Sequence, residues 1–212
     1  MDEILKKYSL LNQLNVSRET CLEFEKFILM LIKKNTEINM ISNESAKSEV
    51  IRARHIIDSA QAVDFIDLNS NTTTDLGTGG GFPGIIIGIM IRNMNKKMKI
   101  NLYEKSHHKS AFLRDVSRKL NLDTEVIQKD IFGITELKTG TIIARAFKPL
   151  PVILELVYKN FSSYKNLVLF MGKSGKEILE KTLKEWELDF EIKKSITSED
   201  SVLLNIKKIN KK

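Results

Sequence analysis

Apolar positions along this chain recur with two different periods, and the change from one to the other falls near residue 66. Between Ser17 and about Asn35 the residues Cys21, Leu22, Phe24, Phe27, Ile28 and Leu31 follow helical spacing, with Ser17 suited to the N-cap. A second helix is expected from about Ser48 to Phe65, where Val50, Ala53, Ile57, Ala60 and Val63 form a stripe. From Asn71 onward, strand-like runs alternate with helical patterns. Strands are expected at 72–76, 99–103, 124–128, 141–144 and 167–171, with helices at 83–92, 107–120, 151–159 and 175–186. Segments 190–194 and 202–209 would close the sheet as a hairpin-like pair. The alternation predicts an α/β fold, a doubly wound, mostly parallel seven-stranded Rossmann-like sheet, in a domain spanning 67–212 behind an N-terminal helical extension, 1–66.

The junction between the first strand and its helix carries the densest chemistry, Asp75-Leu76-Gly77-Thr78-Gly79-Gly80-Gly81-Phe82-Pro83-Gly84. Glycines there permit positive φ and let backbone amides approach a ligand, and Pro83 suits a first helical turn. A G-x-G-x-x-G pattern fits Gly79, Gly81 and Gly84, which alone would suggest a dinucleotide. The glycines begin at Gly77, however, directly after Asp75-Leu76, and a pyrophosphate would not welcome that carboxylate. A cationic cofactor bearing an amino acid would, and the run resembles motif I of the class I S-adenosylmethionine methyltransferases. That resemblance implies a site for S-adenosylmethionine, released as S-adenosylhomocysteine, on Asp75, Gly77, Thr78, Gly79 and Gly81, with Phe82 as a wall. Parallel topology brings Glu104, at the end of the second strand, beside this turn, where its carboxylate can accept both ribose hydroxyls. Asp130 and Ile131 follow the third strand, where such domains hold the adenine.

Composition narrows the partner. The 34 Lys and Arg against 27 acidic residues give a net charge of +7, which points to a polyanion such as nucleic acid. Cys21 is the one cysteine, so no disulfide forms within the chain, and three histidines with one thiol offer no metal-ligand pattern; no metal is expected. The start lacks the apolar stretch of a signal peptide, and the longest apolar run, 85–91, is far short of a membrane span. A cytoplasmic monomer with no membrane association is expected. The lysine pairs near the end, Lys207-Lys208 and Lys211-Lys212 among them, read as a solvated terminus.

A narrower likeness extends over nearly the whole chain. Asn39-Met40-Ile41-Ser42, Arg54-His55-Ile56-Ile57-Asp58-Ser59, the Gly-rich turn ending Gly81-Phe82-Pro83-Gly84, Phe112-Leu113-Arg114 and Ala144-Arg145-Ala146-Phe147 occur in a fixed order. Their order and spacing resemble the bacterial 16S ribosomal RNA guanine-N7 methyltransferases historically called glucose-inhibited division protein B. The resemblance implies methylation of N7 of a guanine in the 530 loop, helix 18, on 16S ribosomal RNA or the small subunit. Many members carry Leu-Lys-Gly after the fifth strand, where this chain has Phe170-Met171-Gly172-Lys173, so Lys173 stands one position later.

Guanine N7 has a lone pair and no proton, so methyl transfer needs positioning and electrostatics rather than a general base. The absence of a Ser-His-Asp or Cys-His set agrees with that. The resemblance puts His55, Asp58 and Arg145 in the catalytic centre: Asp58 near the guanine, and Arg145, which also borders the cofactor, on guanine O6 or a flanking phosphate. Arg54, Arg114 and Lys173 are expected to contact RNA, with Lys33, Lys34, Lys105 and Lys109 as further candidates. A methyltransferase for a small molecule is the nearest alternative, since motif I does not report its acceptor. A nicotinamide-dependent oxidoreductase accounts only for the glycines, and a non-catalytic RNA-binding factor only for the charge.

Overall fold

The structure is a computed structural model that describes residues 2–212. The chain opens with α1 (Glu3–Lys7), a 3-10 segment (Ser9–Leu14) and α2 (Arg18–Asn35), whose first turn is capped where Ser17 accepts from the Thr20 amide. The second helical stretch is one rod of four pieces: α3 (Ser48–Ile51), a π-helical turn (Arg52–Ile57), α4 (Asp58–Ala60) and a 3-10 turn (Gln61–Phe65). The wider π turn inserts a residue into the period. The buried stripe therefore runs Ile51, Ile56, Ile57, Ala60 and Val63, and the expected Val50 and Ala53 fall off it, Ala53 into solvent.

The remainder alternates as β1 (Thr72–Leu76), α5 (Gly84–Asn93), β2 (Lys99–Tyr103), α6 (His107–Lys119), β3 (Thr124–Ile127), β4 (Leu137–Lys138), β5 (Thr141–Arg145), α7 (Leu150–Asn160), β6 (Phe161–Ser163), β7 (Asn166–Met171), α8 (Gly175–Thr182), β8 (Trp186–Lys194) and β9 (Val202–Lys211). Seven strands form one sheet in the order β3-β2-β1-β5-β7-β9-β8, parallel except where β9 runs against β7 and β8. The chain builds outward from β1 to β3, then returns to start again at β5, so the strand order reverses between β1 and β5. Ligands of open α/β sheets bind outside the carboxyl ends of the strands at such a point.

Alternation along the strands feeds two cores. Ile100, Leu102, Ile143, Val168 and Leu203 face α5, α6 and the N-terminal helices. Leu76, Ile142, Ala144, Leu167, Leu169 and Leu204 face α7 and α8. The 1–66 segment shares the first of these cores: the Phe27 ring on α2 lies 5.5 Å from that of Phe82 and 6.4 Å from that of Phe112.

Three local features depart from the sequence pattern. The helix expected over 175–186 stops at Thr182, because Trp186 begins β8 and buries its indole against Tyr158, 5.7 Å between ring centroids. Leu137–Lys138 and Phe161–Ser163 make a separate two-stranded sheet too short to leave a period in the sequence. Lys207, Lys208 and Lys211, read as a solvated terminus, belong to β9.

One partly buried cluster ties the N-terminal helices together. Arg52 donates to Glu25 through Nε (2.7 Å) and Nη2 (2.9 Å), and the Tyr8 hydroxyl donates to the same carboxylate at 2.8 Å. Only 11% of the Arg52 side chain is exposed, so the guanidinium depends on this partner. Glu25→Ala is expected to cost about 2–3 kcal/mol in a urea titration, the range for stranding a buried charge, and Glu25→Gln less.

Candidate active site

The first two strands and the register between them build the floor. Leu76 pairs with Tyr103, so the residues that follow, Gly77 and Glu104, leave the sheet side by side. The Thr78 amide continues the ladder by donating to the Tyr103 carbonyl at 3.1 Å, and the Thr78 carbonyl accepts from the amides of Gly81 and Phe82. Gly77, Gly79 and Gly81 have φ of 69°, 56° and 103°, the left-handed region glycine tolerates. The turn closes on Asp75, whose Oδ2 accepts from the Gly84 amide at 2.8 Å. A Cβ on Gly84 would stand 2.3 Å from Leu102 Cδ2 and 2.6 Å from that oxygen, so only glycine fits.

Above this floor opens a cavity of about 470 Å³ lined by His55, the 77–80 turn, Phe82, Glu104, Asp130, Ile131, Arg145 and the 146–148 segment, with Lys105, Lys109, Lys129 and Lys148 at its border. Glu104 is held in place from both oxygens: Oε2 accepts from the Gly79 amide (3.0 Å) and Oε1 from the Ser106 amide (2.8 Å). Asp130 caps the short 3-10 turn Ile131–Gly133 by accepting from the Phe132 amide. Phe147 covers Gly77 so closely that a Cβ there would meet its ring at 2.2 Å, and it stacks on Phe132 with 6.0 Å between centroids.

Two residues expected to touch the cofactor do not line this cavity. Asp75 is fully buried beneath the turn, so its carboxylate braces the loop instead of facing a ligand. Gly81 turns toward the core, where a Cβ would meet Ile85 at 2.9 Å and Phe27 at 3.1 Å; Gly80 takes the lining position. Phe147 and the lysines of the border were not read as site residues, except Lys105 and Lys109. The Ala144-Arg145-Ala146-Phe147 run was the available signal for Phe147.

The third side comes from the π turn and β5. Register aligns Asp75 with Ile143, which puts Arg145, two residues further along β5, at the carboxyl end beside the glycines. Its Nε lies 3.2 Å from Asp58 Oδ2, its Nη2 donates to the Arg54 carbonyl at 2.6 Å, and its guanidinium sits 6.0 Å from the centroid of the Phe170 ring. Asp58 thus stands behind Arg145 and off the cavity wall, a correction to the expectation that it faces the substrate. Arg54 brings a backbone carbonyl to this cluster, and its exposed side chain does not line this cavity. His55 stacks on Phe82 with 4.9 Å between centroids, and its Nε2 is buried without a hydrogen-bond partner. Burial, with Arg145 and Arg54 adding repulsion, pushes its pKa down to about 4, so the imidazole is neutral at pH 7. Arg114 is exposed on α6, and Lys173 is exposed in the turn after β7. Lys33 and Lys34 lie apart from the cavity, beside Glu37, Phe112 and Asp115.

The arrangement fits an adenosyl cofactor with a cationic sulfonium. Gly79 has nothing but the Gly77 carbonyl within 4 Å of a Cβ position, so that face of the turn is open, and Glu104 stands fixed one residue from the second strand's end. Beyond it, the apolar Ile131 and the polar Asp130 border the same space. Among the described residues, no group of three or more His, Cys, Asp or Glu side chains is arranged to hold a metal ion.

The family model described as rRNA small subunit methyltransferase G (GidB) matches residues 20–206. A relative from Pelagibacter ubique named Ribosomal RNA small subunit methyltransferase G is 65% identical over 212 residues, 100% of each chain. One of the same name from Cereibacter sphaeroides is 31% identical over 199 residues, 94% of this chain and 96% of its own. A solved SAM dependent methyltransferase from Aquifex aeolicus matches in fold with a TM-score of 0.53 at 13% identity, over 84% of this chain and 97% of that one.

Burial pushes the Asp75 carboxyl up to about 7, against the opposing effect of the amide hydrogen bond from Gly84. A raised folded value means that the native state holds its proton more tightly than the unfolded chain. This contribution to stability is full below about 3.8, the unfolded value, and is lost as pH rises through about 7. Asn offers the same carbonyl to Gly84 and does not ionise. Thermal melts of wild type and Asp75→Asn from pH 4 to pH 8 should therefore diverge, with wild type losing stability relative to the variant as pH rises. Parallel curves would show that Asp75 does not titrate there.

Proposed function

The chain belongs to the rRNA small subunit methyltransferase G family, and from that premise we propose that it methylates N7 of a guanine in the 530 loop of 16S ribosomal RNA. It is an S-adenosylmethionine-dependent ribosomal RNA methyltransferase. The observation that carries the specific reading is the meeting of three elements at one strand-end cavity: the Gly-rich turn, the Glu104 carboxylate and the Arg145–Asp58 pair.

When bound, S-adenosylmethionine supplies an electrophilic methyl on a sulfonium. In this reading the 77–80 backbone and Thr78 hold its amino-acid end, Glu104 its ribose and Asp130 with Ile131 its adenine, while Asp75 and Gly81 support the turn from below. The N7 lone pair has no proton to lose, so the protein's task is to align the base and exclude water. Arg145 offers its fork to guanine O6 or to a flanking phosphate. Its charge is compensated by Asp58, so the pair adds little net positive charge where N7 becomes cationic. His55, neutral for the reason given above, adds none. The 1–66 extension supplies Asp58 and His55 and thereby caps the acceptor side.

The lysines at the cavity border, with Arg54, Arg114 and Lys173 further out, supply a cationic footprint for RNA phosphates. No helix of the described residues is long and apolar enough to cross a membrane. A cytoplasmic enzyme working as a monomer is the reading consistent with a site completed within one chain.

Transfer of labelled methyl to small subunits lacking the mark, followed by mapping, should place the label on N7 of one guanine in the 530 loop. Label elsewhere on the RNA would overturn the position, and cofactor binding with no labelled RNA would send the search to small-molecule acceptors. Lys148→Ala should lower the slope of log affinity against log salt for the RNA by about 1, the loss of one phosphate contact. An unchanged slope would remove Lys148 from the footprint.

A further inference from the structure

The tip of the β8–β9 hairpin, residues 195–201, reaches across the molecule to the helical rod. Met171, the last residue of β7, pairs with Val202, so the tip lies at the same strand ends as the cavity. Gln61, fully buried on the rod, spans the gap: its Oε1 accepts from the Ile196 amide at 3.1 Å, and its Nε2 donates to Ser195 Oγ and Asp58 Oδ1, both at 3.0 Å. The Thr197 hydroxyl donates to Asp58 Oδ1 at 2.9 Å, and Ser195 Oγ lies 3.4 Å from the same atom. An ion pair between Lys193 and Asp64 holds the hairpin to the rod beside this network.

These bonds divide the Asp58 carboxylate. Oδ1 takes donors from Gln61 and from the hairpin, and Oδ2 is left to Arg145. A carboxylate fixed on one oxygen presents the other at a fixed angle. Without the hairpin donors, Asp58 could rotate and Arg145 would keep only the Arg54 carbonyl and the face of Phe170. None of the hairpin residues lines the cavity, so their influence on substrate passes through Asp58 and Arg145.

We propose that Thr197 and Gln61 are positioning residues, which set the orientation of Arg145 through Asp58 and make the β8–β9 hairpin a working part of the acceptor site. The inference rests on the methyl-transfer reading above for its effect on rate, but its geometric content is independent of the acceptor. Thr197→Val keeps the shape and removes the donor, whereas Thr197→Ser keeps the hydroxyl.

The test compares wild type and both variants in three measurements: transfer rate to unmethylated small subunits, calorimetric affinity for S-adenosylhomocysteine, and the Arg145 Nε–H resonance of ¹⁵N-labelled protein. Thr197→Val should lower kcat by about tenfold, within the range for misplacing a substrate-orienting group, and broaden or shift the Arg145 signal. Cofactor affinity and melting temperature should stay near wild type, and Thr197→Ser should restore both rate and signal. An Arg145 signal unaltered in Thr197→Val, whatever the acceptor, overturns the proposal. So does a rate loss that Thr197→Ser shares in full. If wild type fails to methylate small subunits while the Arg145 signal still responds to Thr197→Val and recovers with Ser, the acceptor reading falls and the positioning role stands.

Discussion

A fully buried carboxylate, Asp75, binds the end of β1 to the first amide of α5, and the geometry of the site follows from that contact. The eight residues between Asp75 and Gly84 have to leave the sheet and come back within hydrogen-bonding distance of their origin. That constraint throws the glycines into positive φ and forbids a side chain at Gly84. It also keeps the loop backbone turned upward, with the Thr78 amide anchored to Tyr103 and the Gly79 amide to Glu104. Burying the carboxylate raises its pKa toward neutrality, the electrostatic cost of using an acid as a brace in a water-free position.

A different economy governs the side of the cavity formed by β5 and the π turn. There, Arg145 is largely withdrawn from water, which lowers its pKa, while Asp58 restores the charged form. The same withdrawal keeps His55 neutral. One compensated cation and one uncharged ring therefore border the cavity on this side. Glu104, just past the end of β2, and Arg145, at the end of β5, are thus separated by β1, at the reversal of strand order.

Nearly all of the sheet was legible in the sequence, because short β-prone runs such as Lys99–Tyr103 and Thr141–Arg145 alternate with helices that carry their own period. Glu104, Asp130 and Arg145 were legible for the same reason: parallel topology fixes what sits at each strand's end. Asp75 and Gly81 lie beneath the turn and off the cavity wall, which a motif does not report, since it gives positions along the chain and not the direction in which a turn faces. The Asp58–Arg145 pair joins residues 87 positions apart (145 − 58), and its hairpin partners are 137 and 139 away. No local spacing reports contacts at that range. Asp58, four residues beyond Arg54 on the rod, bonds a residue from the sheet.

The π turn explains how one short rod can serve both core and chemistry. In an ordinary α-helix Ile51, His55 and Asp58 would lie along a single face, and burying the first would bury the others. The additional residue in Arg52–Ile57 lets Ile56 follow Ile51 into the core, with Ala60 and Val63 after it. His55 and Asp58, three apart, are thereby rotated onto the neighbouring face, one against Phe82 and the cavity, the other against Arg145. The shared core of α2, α5 and the rod then holds that face against the glycine turn. The helical extension and the sheet domain are in this sense two sources of one site, since neither the Arg145–Asp58 pair nor the His55–Phe82 stack exists within either segment alone.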